Sequence, residues 1–244
     1  MTKKQKIILA AVIFFLIVTA GAVVLFRNRD KEKENQTDIS LPQTKTLTID
    51  QLPIVKLTGR NRNRELTLYL EAAKGQFDSK VEYELIYHLE AGLSRGVMGE
   101  IQLIEDRGER EIILGTCSRG VCRYDEGVID GEIIISLNKE NQLHSFETKF
   151  FFLDANSPYQ ASNLKISTKE TTMLIALEGG GLPAPAPNGQ EIIAGPFVVT
   201  SETGSETISF ELKEGLLLVW GQGSWERVEN LESLPLGTYL LVSS

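Results

Sequence analysis

Two cysteines, Cys117 and Cys122, are the residues of this 244-residue chain best suited to chemistry. Four residues separate them, with Gly120 in the middle, which suits a strand–turn–strand bend in which the sulfurs meet. Closing a ring of about six residues is worth about 2 kcal/mol by the chain-entropy argument. Such bridges belong to exported domains. The same sulfurs, with His88 and His144 as the only histidines, offer the ligand types of a zinc site. The C-x4-C spacing is wider than most zinc knuckles and the histidines lie far apart in sequence. A disulfide is therefore the expectation, with no metal or cofactor.

Other chemistry-bearing stretches are weaker. The acidic turn Tyr124–Glu132 could place Asp125, Glu126 and Asp130 around calcium, although the spacing and closing glutamate of an EF-hand are missing. Gly179-Gly180-Gly181 is no phosphate loop, because prolines follow it where a Lys-Ser/Thr pair and a helix are needed. Trp220 is expected in the core. Trp225 follows an exposed turn and is left as a candidate for stacking on a carbohydrate ring.

Leu114-Gly115-Thr116-Cys117 resembles the L-x-T-C segment of sortases, which are single-pass β proteins. That resemblance implies Cys117 as a nucleophile, Arg119 or Arg123 at the oxyanion and His88 as acid/base. The spacing departs from that family: His88 lies nearer the cysteine, and the arginines follow it too closely. Cys122 would also mask the thiolate. A sortase-like transpeptidase is thus the alternative reading, and a non-enzymatic protein the preferred one.

The elements that must position these residues begin with Ile7–Phe26, about 20 residues without a charge, enough to span a bilayer. Lys3, Lys4 and Lys6 precede it. Ala20-Gly21-Ala22 fits a cleavage site, but the apolar run continues past it, so an uncleaved anchor is expected. Residues 1–34 carry +4 and the remainder −12. An acidic head argues against nucleic acid, which needs clustered Lys and Arg. The expected layout is a cytoplasmic tail (1–6), a transmembrane helix (7–26) and a flexible spacer (27–44). A β-sandwich (45–178), a Gly/Pro linker (179–189) and a small β domain (190–244) follow, the last packing on the first because it is small.

Strand patterning supports an all-β, antiparallel head. Val81–Leu89 alternates Val81, Tyr83, Leu85, Tyr87 and Leu89 with mostly polar residues. Glu65–Ala72, Val97–Glu105, Glu111–Cys117, Gly131–Leu137, His144–Leu153, Leu164–Ser167 and Thr172–Glu178 read as further strands. Beyond the linker come Glu191–Ala194, Phe197–Ser201, Thr207–Leu212, Leu216–Trp220, Trp225–Val228 and Thr238–Val242. Turn formers separate them at sandwich spacing, without helical periods.

Gly115–Tyr124, before an acidic turn, together with Trp225–Val228 and Leu236–Val242, is similar to segments of uncharacterised bacterial surface proteins. Those have one N-terminal membrane segment and immunoglobulin-like β-sandwich domains. The resemblance implies location and architecture: a single-pass membrane protein with an extracytoplasmic head. Its expected function is a binding or structural module of the cell envelope, with an envelope protein or glycan as partner. A calcium-stabilised adhesion or carbohydrate-binding module is a further alternative.

Overall fold

The computed structural model describes residues 47–73, 75–170, 173–187 and 189–244. The expected tail, membrane segment and spacer lie outside them. Among the described residues no helix is long and apolar enough to cross a membrane. Thr44–Ser244 form one compact unit.

That unit is all-β. Strands β1 (Ile54–Arg60) and β2 (Glu65–Glu71) form a hairpin, followed by β3 (Lys80–Leu89), β4 (Ser94–Gln102) and β5 (Arg107–Ile113). A short ribbon, β6 (Gly115–Ser118) and β7 (Val121–Tyr124), precedes the long hairpin β8 (Val128–Lys139) and β9 (Gln142–Leu153). Then come β10 (Tyr159–Gln160), β11 (Leu164–Ser167), β12 (Leu174–Glu178) and β13 (Ile192–Thr200). The chain closes with β14 (Thr207–Leu212), β15 (Leu216–Gly221), β16 (Ser224–Arg227), β17 (Leu234–Pro235) and β18 (Gly237–Val242). All pairings between these strands are antiparallel.

One nine-stranded sheet runs β16-β15-β18-β13-β12-β9-β8-β3-β4. The sheet β1-β2-β5 covers one face of its N-terminal part, and β10-β11-β14-β17 covers the opposite face of its C-terminal part. The side-chain period of two decides this. In β12, Ile175 and Leu177 join the first core while Leu174 and Ala176 join the second. In β9, Phe150 and Phe152 point to the first and Leu153 to the second. An immunoglobulin-like sandwich would set two comparable sheets face to face. Here a single long sheet exchanges its covered side part-way along, because β9, β12 and β13 are apolar on both faces.

The Gly/Pro segment 179–189 was expected to divide two domains. It connects β12 and β13, which are neighbours in one ladder. Leu182 and Ala186 from it pack on Leu218, Leu240 and Val242, forming a third small core. Gly181 donates its N–H to the Pro53 carbonyl at 2.7 Å, and a Cβ there would meet the Leu52 carbonyl oxygen at 1.9 Å. Prolines forfeit ladder donors, not apolar contact, so a stretch unable to be a strand still serves as a cover.

Other boundaries differ from expectation: the strand expected over Val97–Glu105 is β4, Ser94–Gln102, and the one expected over Gly131–Leu137 extends to Val128–Lys139. Glu111–Cys117 is interrupted at Leu114, separating β5 from β6. Glu191–Ala194 and Phe197–Ser201 merge into β13, with register shifts and a cis Gly195–Pro196 bond between their halves.

Candidate recognition hairpin

The ribbon β6–β7 departs from the body at Gly115. Leu114 before it is fully buried, and Gly115 has φ +148°, where a Cβ would lie 2.1 Å from the Arg123 carbonyl oxygen. Only glycine permits this turn-out. Arg119 (φ 51°) and Gly120 (φ 80°) then make the two-residue turn with both central residues left-handed that hairpins favour. Ser118 faces Val121 next to the turn, so Cys117 and Cys122 occupy the following, closely spaced pair, with Cα atoms 4.0 Å apart. Their sulfurs are bonded to each other, and no cysteine is free.

The ribbon pairs with no other strand. Residues 116–121 are all exposed, and Val121 is 70% exposed. Thr116, Ser118, Val121 and Arg123 fall on one face by their alternation, with the disulfide on the other. The tip thus offers an aliphatic group between two guanidiniums, on a head that is otherwise acidic.

Its base is held by a polar network. Asp125 donates its N–H to the Leu114 carbonyl at 2.9 Å. The Asp125 carboxylate accepts from the Tyr87 hydroxyl at 2.6 Å and lies 3.2 Å from Arg95 Nε. Tyr124 donates to Glu65 at 2.6 Å, and the Arg64 guanidinium sits 5.7 Å from the Tyr124 ring centre and 3.6 Å from Glu126. Burial, reinforced by the Asp125 carboxylate, pushes the Tyr87 phenol up. The hydrogen bond from Tyr124 holds the Glu65 carboxyl below its ordinary range, and the same bond raises the Tyr124 phenol. These tyrosines stay neutral donors at physiological pH.

The other expected site residues are dispersed. Asp125 is engaged by Tyr87 and Arg95, Glu126 by Arg64, and Asp130 by His88 Nδ1 at 2.7 Å. Among the described residues no three potential metal ligands converge. His144 is buried on the face of β9 that meets the first core, and the cysteine sulfurs are spent on each other. The zinc and calcium arrangements therefore find no geometry. Nor does the sortase-like one, which needs Cys117 as a thiolate. Trp225 donates Nε1–H to the Ala184 carbonyl at 3.0 Å and meets Trp220 edge-on with ring centres 5.4 Å apart. It thereby ties β16 to the Gly/Pro cover and is half-buried, as is Trp220, which was expected in the core.

Comparison with family models, with curated proteins and with solved structures gives no match. The assignment of a site thus rests on geometry. A second candidate is a groove of about 330 Å³ beside β10, lined in part by Phe151 and Tyr159 with ring centres 4.2 Å apart. Two of its three carboxylates, those other than Glu90, are already engaged. Asp130 holds His88, and Asp154 accepts the N–H groups of Asn156 and Ser157. At the hairpin tip the guanidiniums of Arg119 and Arg123 stand on exposed residues, free of such ties among the described residues.

Sequence reasoning found the cysteines and the turn. It missed Tyr87, Arg95 and Glu65 as the support. A usable signal existed: a tyrosine on the buried face of an alternating strand must find an acceptor for its hydroxyl.

Proposed function

We propose that the chain is a membrane-anchored, extracytoplasmic binding module of the cell envelope without catalytic activity. It recognises an anionic surface on an envelope protein or glycan through the β6–β7 hairpin. The observation that carries this reading is the clamped, solvent-exposed tip with Arg119, Val121 and Arg123. A hairpin tip that packs on nothing gains no stability from burial there, so rigidifying it serves presentation. A bonded cysteine pair supports an oxidising compartment, and the uncharged run Ile7–Phe26 supports the anchor.

Two measurements test it. Maleimide should leave native chain unlabelled on intact cells and add two labels after reduction. Labelling without reduction would remove the compartment assignment. Retention of envelope material by the full chain should fall at least tenfold in Arg119→Glu/Arg123→Glu and weaken with salt, as rim electrostatics does. Retention unchanged by charge reversal would remove the hairpin from the binding site.

A further inference from the structure

Strand β4 ends the nine-stranded sheet as a long, regular outer strand whose only charges are Arg95 and Glu100, both held in ion pairs within the chain. Its nine pairs with β3 run without a register shift, from His88↔Ser94 to Lys80↔Gln102, and it contains no proline. The other outer strands are each blunted. β16 has four residues, including Glu226 and Arg227; β10 and β17 have two each; β5 carries Arg107, Glu109, Arg110 and Glu111. The Leu57 carbonyl of β1 accepts a hydrogen bond from Thr200.

The hydrogen-bond parity of β4 follows from its two ends. Leu89 N–H bonds to the Leu93 carbonyl and Leu103 N–H to the Ser79 carbonyl, so the odd-numbered residues face β3. The N–H and C=O groups of Ser94, Gly96, Met98, Glu100 and Gln102 consequently point out of the sheet. Met98, at the strand's midpoint, is 79% exposed.

We propose that β4 pairs with β4 of a second copy of this chain, antiparallel, about a two-fold axis through Met98. The strand is its own complement. Full overlap with itself sets Met98 opposite Met98, and Met98 is a residue whose backbone faces outward, so overlap and hydrogen-bond parity coincide. That register places Glu100 opposite Gly96, not opposite another acid, and Glu100 keeps its ion pair with Lys80 at 2.7 Å. Gly108 closes on the Gln102 carbonyl, so pairing runs from Gly96 to Glu100 and frays beyond. About six backbone hydrogen bonds result. The interface is small, in the class of weak, reversible contacts.

The test uses the full chain in detergent, with the native cysteines paired so that an introduced cysteine is the sole thiol. With oxidised glutathione, Met98→Cys should give at least tenfold more disulfide-linked dimer than Leu143→Cys, which is also exposed. A mixture of Gly96→Cys and Glu100→Cys should cross-link well above either variant alone. Met98→Pro removes an outward N–H without touching the β3 ladder, and should abolish reversible dimer in sedimentation while keeping the melting curve. Equal yields for Met98→Cys and Leu143→Cys, or no gain on mixing, overturn the proposal. A β4 edge that binds a foreign extended peptide while the chain stays monomeric overturns it equally.

Discussion

The middle of the long sheet and its β3–β4 end are built differently. Around β12 and β13 both faces are covered, so four consecutive residues, Leu174–Leu177, are buried. Around β3 and β4 only one face is covered, and burial alternates strictly along β3 as far as Leu85. The opposite face there carries Glu82, Glu84 and Glu132 around the half-buried Ile86 and Ile134. The ladder is antiparallel in both regions; what differs is how many layers each residue must satisfy. A doubly covered strand tolerates no polar side chain, whereas a singly covered one can spend every second residue on solubility or contact.

That contrast is sharpest under large-to-small substitution. Ile175→Ala, deep between sheets, should cost about 2–5 kcal/mol, whereas Ile134→Ala on the open face should cost about 1 kcal/mol or less. Urea unfolding of the two variants checks this, and similar losses would break the distinction. Removing the bridge by Cys117→Ser/Cys122→Ser should cost about 2 kcal/mol through the unfolded chain. Proteolysis of that variant should begin at the hairpin and leave the layered body intact.

A smaller effect involves Glu206, buried between β13 and β14. Burial opposes its ionisation, but hydrogen bonds from Ser201, Thr203 and the Ser205 N–H outweigh it and hold the carboxyl below its ordinary range. A lowered folded-state value means the stabilisation is complete above the unfolded value, about 4.3, and is lost as pH falls through the folded one. Glu206→Gln should cost about 1–2 kcal/mol at neutral pH and flatten the acid limb of the stability profile. Smallest of all, Trp225→Phe removes one hydrogen bond to the Gly/Pro cover and should cost about 1 kcal/mol. Hydrogen exchange should then quicken in β15 and β18 while leaving β3 unchanged.

The same contrast explains what could be read from residues alone. Val81–Leu89, Leu164–Ser167 and Thr207–Leu212 alternate, and the structure places strands there with the apolar side inward. β1 went unread because Lys56, Thr58 and Gly59 dilute its pattern, although Val55 and Leu57 are fully buried. β10 and β17 are two residues each, too short for any period to register. The exchange of covered sides was invisible for a different reason. Apolar residues at 174–177 announce burial on both faces, but not which later strands supply the second layer. At the site, local chemistry was legible, since the cysteines and Gly120 sit within six residues. The supporting contacts from Tyr87 and Glu65 arrive from 38 and 59 residues away in the chain, beyond any local pattern.

The cysteine ring has one more consequence, for how the chain matures. With two thiols only, there is a single intramolecular way to join them, and the turn at Arg119-Gly120 brings them together before any distant contact is needed. Closing so short a loop belongs to the fastest events a polypeptide undergoes. The sulfurs can therefore meet without the layers having assembled, and no isomerase is required to sort wrong pairings from right ones.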